Sequence, residues 1–175
     1  YHLDRAVYEA THGRFGPVWL DIPMNVQTAR IDEAGLKKFS PPPEPVYDLK
    51  IAEVAERLLS AKRPLIVAGH GMRLAGQVLN LAKFSEISDV PIATTFNGYD
   101  VLPTGDKNAA GRIGTAGQRA ANFILQNADC ALFLGTRNNV RQVSYNWENF
   151  AKKAFKIAVD IDPAELQKPL VKPDL

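Results

Sequence analysis

The sequence has 175 residues, of which 46% are hydrophobic and 23% charged, so the chain can bury a core and an intrinsically disordered protein is excluded. Its 21 basic and 19 acidic residues nearly balance, which argues against a nucleic-acid partner. The single cysteine, Cys130, excludes an internal disulfide, and no apolar run reaches the ~18–20 residues of a membrane span. These features predict a cytoplasmic α/β domain without a membrane partner, and the start at Tyr1 rather than Met predicts a fragment.

The first 27 residues combine one helix with one short strand. Apolar residues at helical spacing predict a helix over residues 1–12, which Gly13 ends in a left-handed conformation. Residues 18–23 form an apolar run stopped by a proline, which predicts a buried strand. A lone helix and strand cannot cover their own apolar surface, so residues 1–27 are predicted to be the end of a preceding domain. Residues 28–50, with four prolines between 41 and 45, are predicted to be an extended linker.

Residues 51–175 alternate amphipathic helices with short apolar strands. Helices are predicted over 51–59 with Asp48 as N-cap, over 73–85 and over 118–127, with a helical turn over 147–152. Strands are predicted over 64–68, 91–95, near Ala110, 130–134 and 155–161. Continuous apolar strands are typical of a parallel sheet covered on both faces. We therefore predict an α/β fold with five parallel strands and helices on each side of the sheet.

The loops that follow these strands are the candidate site, because ligands bind beyond the carboxyl ends of the strands in open parallel sheets. These loops, rich in glycine or polar residues, are 69–72, 94–98, 111–117, 135–137 and 160–162. Glycine lets a backbone N–H approach a phosphate closely. Each loop alone is better explained by the ordinary glycine turns of a parallel fold, whereas several in series favour a nucleotide crevice.

Familiar catalytic and cofactor motifs are missing from these loops. The Gly-x-Gly-x-x-Gly fingerprint of dinucleotide-binding proteins fails at Leu74, and no acidic residue follows the second strand. No His/Cys cluster has the spacing of a zinc site, and no Gly-x-Ser-x-Gly elbow occurs. Cys130 is predicted to be a small core residue rather than a reactive thiol, and His70 is either a ligand contact or an exposed turn residue.

Two pairs of charged residues follow the last two strands. Arg137 and Arg141 could place two guanidinium groups along one wall of the crevice, where they would suit a phosphate, although a surface salt-bridge cluster explains them equally well. Asp162 precedes Pro163, which predicts a helix N-cap. This leaves Asp160 as a candidate hydroxyl acceptor.

Five segments are similar to motifs of one enzyme family, and one of them, residues 64–71, is similar to the strand and glycine loop that open one of its domains. Residues 13–27, GRFGPVWLDIPMNVQ, are similar to Gly-Arg-x-Gly-Pro-Val-x-x-Asp-Ile-Pro-x-x-Val-Gln, and residues 114–117 with Ala121 and Asn122 lie where that family has Gly-Met-His-Gly and Ala-Asn. Residues 135–141, GTRNNVR, line up with Gly-Ala-Arg-Phe-Asp-Asp-Arg, and residues 159–166 are similar to the strand and acidic turn that follow. The chain thus resembles the thiamine-diphosphate-dependent enzymes of the acetolactate synthase group.

The resemblance implies a parent with three domains. Residues 1–27 would end its pyrimidine-binding domain, 28–50 would be the linker, and 51–175 a Rossmann-like central domain of five to six strands that lacks its last strand. The parent would use thiamine diphosphate and Mg to decarboxylate a 2-keto acid and transfer the resulting carbanion, as a homodimer or tetramer. The activating glutamate and the Gly-Asp-Gly metal motif would lie in the missing pyrimidine- and pyrophosphate-binding domains, so no catalytic or metal-binding residue is expected here.

The resemblance also implies a cofactor for the central domain, which binds FAD in acetolactate synthases and ADP or nothing in other members. The implied contacts are Gly69, Gly71, Met72, Thr95, Gly114, Gly117, Arg137, Arg141 and Asp160. The Met-His of the family's glycine loop is replaced by Thr115 and Ala116. This substitution favours the alternative, a purely structural domain that positions the two thiamine-binding domains. A NAD-consuming deacylase of related fold is disfavoured, because it needs a catalytic histidine and a zinc module.

Overall fold

The computed structural model describes residues 1–175, which form two compact units, Tyr1–Asp48 and Leu49–Leu175. The first unit contains helix α1 (His2–Thr11), the short helix α2 (Met24–Gln27) and a 3-10 turn at Glu33–Gly35. The predicted first helix is confirmed, and Gly13, which follows the C-cap residue His12, has a φ of +60°. The ring of Phe39 packs against Tyr1, the N-cap of this helix, and against Tyr8 within it, with centroid distances of 5.9 and 5.4 Å.

The strand predicted over residues 18–23 is wrong, because this segment forms no strand. Trp19 in its centre is 90% exposed. Apolar composition indicates a strand only where a neighbouring strand supplies backbone partners, and residues 1–48 contain no strand. The composition therefore gave the hydrophobic character of the segment correctly but not its pairing.

The second unit is built on a five-stranded parallel sheet. Its strands are β1 (Pro64–Ala68), β2 (Ile92–Thr94), β3 (Ala109–Arg112), β4 (Cys130–Leu134) and β5 (Phe155–Val159). Their order is β3-β2-β1-β4-β5, and Ile66 of the central strand lies opposite both Ile92 and Leu132. The chain thus winds outward from β1 to β3 and returns to the other side of β1, so the strand order reverses between β1 and β4. The predicted parallel α/β fold is confirmed.

Helices cover both faces of this sheet. They are α3 (Ile51–Ser60), α4 (Gly71–Leu74), α5 (Val78–Ile87), α6 (Arg119–Asn127), α7 (Val140–Val143) and α8 (Pro163–Gln167). Alternate residues of β1 point to opposite faces, so Leu65 and Val67 pack with Leu125 of α6, whereas Ile66 packs with Leu81 of α5. Cys130 belongs to the second of these clusters and is 3% exposed, which confirms it as a core residue.

Several helix boundaries differ from the prediction. The helix predicted over 73–85 is two helices, because Gly76 adopts a φ of +68° between α4 and α5. The N-cap of α3 is Lys50, at a φ of +44°, rather than Asp48. The helical turn predicted over 147–152 is a shorter 3-10 turn at Trp147–Asn149. Helix α7 was not predicted, because four residues are too few to show a helical period.

The outer edge of β5 is partly occupied by the last residue of the chain. The Leu175 N–H donates to the Lys156 carbonyl at 3.2 Å, and the Leu175 carbonyl accepts from the Ala158 N–H at 2.9 Å. Two bonds from one residue to positions two apart are the pattern of a parallel ladder. Leu175 therefore lies where a sixth parallel strand would pair with the sheet.

Candidate functional site

The loops after β1 and β4 meet at the point where the strand order reverses, and their glycines interlock. A Cβ added to Gly69 would run into the carbonyl oxygen of Gly135 and lie 2.6 Å from Cβ of Thr136. One added to Gly71 would lie 2.6 Å from Cα of Gly135, which itself has a φ of +56°. Close approach of the two loops therefore explains why these positions are glycine.

Three of the four backbone N–H groups of the loop after β1, residues 69–72, are bonded within the protein. Gly69 N–H donates to the Leu134 carbonyl at 2.8 Å, Gly71 N–H to the Gly135 carbonyl at 3.0 Å, and Met72 N–H to the Gly69 carbonyl at 3.2 Å. The Met72 side chain packs against the core cluster that contains Ile66. These residues do not fit a diphosphate held by backbone amides, the arrangement typical of dinucleotide-binding glycine loops.

The loop after β3 is held in the same way. Gly114 has a φ of +108°, and its N–H and carbonyl bond to the Asn122 side chain at 2.9 and 3.1 Å. A Cβ on Gly117 would lie 2.6 Å from the Arg112 carbonyl oxygen. Thr95, directly after β2, is buried and donates its N–H to the Ala68 carbonyl at 3.1 Å. Asn122, which sequence reasoning noted only as part of a motif, fixes the shape of this loop.

The charged residues implied as contacts separate into two kinds. Arg137 pairs with Glu165 at 3.4 Å, and the Asp160 carboxylate accepts from the Asp162 N–H at 3.0 Å. Asp162 caps α8 by accepting from Ala164 N–H at 2.9 Å, which confirms it as an N-cap. Arg141, in contrast, is exposed and forms no ion pair, while its backbone carbonyl accepts two hydrogen bonds from Thr115. Of the two arginines that the resemblance implies as ligand contacts, only Arg141 has no carboxylate partner.

An open pocket of about 380 Å³ lies beyond the ends of β1, β2 and β3. It is lined by His70, Phe96, Asn97, Tyr99 and Arg112. The Nδ1 of His70 donates to the Asn97 carbonyl at 3.2 Å, because a carbonyl oxygen can only accept, and this leaves Nε2 without a protein partner. The sequence analysis named His70 as a candidate ligand contact but did not name Arg112. Arg112 ends β3, and a position at a strand end is the same signal that made Arg137 a candidate.

An ion pair borders this pocket. The Arg73 guanidinium lies 2.7 Å from the Asp100 carboxylate. The hydrogen bond from Arg73 holds the pKa of Asp100 below its ordinary value, and the charges of Arg73 and nearby His70 act in the same direction. Since Arg73 is neutralised in this way, Arg112 carries the uncompensated charge of the pocket.

The remaining chemistry is sparse. No group of three or more His, Cys, Asp or Glu residues could hold a metal ion. Burial raises the pKa of the Cys130 thiol, and the neighbouring Asp129 charge adds to this effect. The longest helices have ten residues, too few for a membrane-spanning helix.

Known proteins similar to this chain share one family. The family model of the thiamine pyrophosphate enzyme central domain matches residues 51–174. An acetolactate synthase large subunit of Lactococcus lactis is 36% identical over 99% of the chain and 30% of the relative. A probable acetolactate synthase large subunit of Methanocaldococcus jannaschii is 34% identical over 94% and 29%. A glyoxylate carboligase of Escherichia coli O157:H7 is 31% identical over 99% and 29%.

These matches agree with the motifs in the sequence. The chain spans about three tenths of the length of these curated relatives. The family model, however, covers well over half of the chain itself. The chain therefore belongs to the thiamine pyrophosphate enzymes, and residues 51–174 are the central domain of an acetolactate synthase-like member.

Proposed function

We propose that the whole protein decarboxylates a 2-keto acid and transfers the resulting carbanion to an acceptor, with thiamine diphosphate and Mg bound outside residues 1–175. The observation that carries this proposal is the central-domain match over residues 51–174. The names of the relatives support the reaction class, since both acetolactate synthase and glyoxylate carboligase are among them. Residues 1–27 would end the pyrimidine-binding domain, since the alignments with two relatives include nearly the whole chain.

In this proposal residues 1–175 perform no bond-breaking step of their own. The cofactor, when bound, supplies the stabilised carbanion. The chain contributes a parallel sheet whose carboxyl edge presents the side chains of the pocket. A cytoplasmic location and a homodimeric or tetrameric assembly belong to the same proposal, and the single unpaired Cys130 supports the former.

The activity is tested on the full-length protein. With thiamine diphosphate, Mg and pyruvate or glyoxylate, we expect release of CO₂ and formation of a coupled hydroxyketone or hydroxyacid product. Omission of thiamine diphosphate provides the control. Absence of CO₂ release from both keto acids would argue against this reaction class.

For the central domain we propose binding of a nucleotide, FAD or ADP, at the carboxyl edge of the sheet. The open pocket with its free arginine favours binding. The second candidate is a purely structural domain, which the bonded amides and interlocked glycines of the β1 and β4 loops favour. Titration calorimetry with FAD and ADP separates the two, because a structural domain should show saturable heat with neither. A flavin absorbance spectrum of the purified protein would identify FAD directly.

A further inference from the structure

We propose that Asn97 is a site of spontaneous deamidation, and that the contacts holding the loop after β2 against helix α4 set the rate of this reaction. Asn97 is followed by Gly98, and no other asparagine of the chain precedes a glycine. Because glycine has no Cβ, its backbone nitrogen is the least shielded nucleophile that can follow an asparagine. The proposal does not depend on what the neighbouring pocket binds.

The reaction requires only this dipeptide and water, in keeping with the thermal lability of asparagine. The Gly98 backbone nitrogen attacks Cγ of the Asn97 side chain, a C–N bond forms, and ammonia leaves with the proton of the Gly98 N–H. Water then opens the five-membered imide at either of its two carbonyls, which gives aspartate or isoaspartate without any oxidant or reductant. The product adds a carboxylate to the pocket wall that also contains Arg112.

The fold itself demands the Asn-Gly pair at this position and leaves the asparagine open to water. Gly98 is buried at the end of a 3-10 turn, Phe96–Gly98, and a Cβ added to it would lie 3.0 Å from the Ala68 carbonyl oxygen. Asn97, in contrast, is exposed and lines the pocket. Close approach of this turn to β1 therefore explains the glycine that makes Asn97 reactive.

In the closed turn the two reacting atoms are held apart. A 3-10 turn keeps ψ at about −25°, which turns the Gly98 nitrogen out of the plane in which the five-membered ring closes. The Gly98 N–H also donates to the Thr95 carbonyl at 3.1 Å, so it is engaged within the turn. Deamidation therefore requires local opening of residues 96–98.

Two residues at the α4 end of the β1 loop oppose this opening. The Arg73 guanidinium lies 2.7 Å from the Asp100 carboxylate and donates to the Asp100 carbonyl at 3.4 Å. His70, the N-cap of α4, donates from Nδ1 to the Asn97 carbonyl at 3.2 Å. Both contacts exist only while the turn is closed, so loss of either should raise the population of the open, reactive form.

The test follows deamidation of the full-length protein during long incubation at mildly alkaline pH, with peptide mass spectrometry as the readout. R73M removes the ion pair but keeps a long side chain, and H70A removes the bond to the Asn97 carbonyl. K107M is the matched control, since it breaks an exposed ion pair to Asp89 of 3.5 Å that lies outside the loop. Urea denaturation shows that each variant is folded under the incubation conditions.

We expect Asn97 to convert faster than Asn25, which is exposed but precedes Val26. Unfolding in urea should accelerate conversion of Asn97 by at least about 10-fold, because the turn then no longer holds the reacting atoms apart. R73M and H70A should each accelerate it by about 3- to 10-fold, as for loss of one hydrogen bond or ion pair, whereas K107M should match the unmodified protein. Ion-exchange chromatography should resolve the product as a more acidic species.

Each part of the proposal has an outcome that overturns it. If Asn97 converts no faster than Asn25 in folded and unfolded protein, Asn97 is not the preferred site. If folded and urea-unfolded protein convert at the same rate, protection by the turn is overturned, and this comparison needs no variant. If R73M and H70A both convert at the rate of K107M, the contacts to α4 do not set the rate.

Discussion

Asp129 shows how one side chain joins two strands of the sheet. Its carboxylate accepts hydrogen bonds from the N–H groups of Lys62 and Arg63 at 3.0 and 2.9 Å, just before β1 and β4 begin. Burial alone would raise the pKa of Asp129, but the backbone hydrogen bonds from Arg63 and Lys62, together with its own N–H and the Arg63 charge, hold that pKa below the ordinary value of 3.8. The charged form is therefore the one that stabilises the fold.

The pH dependence of stability follows from this pKa. A carboxyl group whose pKa is lowered by folding stabilises the protein fully above its unfolded pKa, and this stabilisation is lost as the pH falls through the folded pKa. We expect D129N to lower the free energy of unfolding by about 1–2 kcal/mol at neutral pH. The asparagine side chain has one acceptor oxygen, so one of the two hydrogen bonds from Lys62 and Arg63 is lost and the other is weakened. The difference in the free energy of unfolding between D129N and the unmodified protein should shrink below about pH 4. Urea denaturation at a series of pH values measures it.

Asp89 provides the control for this measurement. Its side chain is fully exposed and lies 3.5 Å from the exposed Lys107, so D89N should leave the free energy of unfolding essentially unchanged. A D129N difference that stays constant from neutral to acidic pH would contradict the assigned role of the charge.

Among the elements, the loops after β1 and β4 show a role of glycine that the sequence pattern did not predict. The glycines at 69, 71 and 135 were visible in the sequence, and a phosphate cradle and a tight turn were both compatible with them. In the structure each glycine faces the backbone of the other loop, more than 60 residues away in the chain. By contrast, α3, α6, β1 and β4 were predictable because their periodicity or apolar run is contained in a short window.

The interlocked loops predict an unequal cost for two glycine substitutions. G69A would place a methyl group against the backbone of Gly135 and should lower the free energy of unfolding by about 3 kcal/mol. G76A has open space around the added methyl and suffers only from its φ of +68°, so about 1 kcal/mol is expected. Urea denaturation of both variants gives the comparison, and an equal or smaller loss in G69A would refute the packing explanation.

At the scale of the whole molecule, the chain divides into a small unit of residues 1–48 and a sheet unit of residues 49–175. The first has no buried side chain and no strand. The second contains all five strands and both core clusters. The two units should therefore resist local unfolding to very different degrees.

Limited trypsin digestion tests this division. We expect the first cuts at exposed basic residues between 28 and 50, after Arg30, Lys37, Lys38 or Lys50, because this stretch contains no strand and only one 3-10 turn. The persistent product should begin at or before Ile51, identified by mass spectrometry. K50Q should remove a product that begins at Ile51 without exposing sites in the sheet. Early cuts between β1 and β5 would contradict the expected order of stability.

The fold class, the order of most elements and the family follow from the sequence alone, because local periodicity and contiguous motifs such as residues 13–27 and 135–141 carry them. The roles of single residues follow only from the three-dimensional arrangement: Gly69 is required by Gly135, Arg73 and Arg137 are neutralised, and Arg112 is free beside aromatic rings. The partners of these residues come from distant parts of the chain, and the parallel sheet brings them together at one edge.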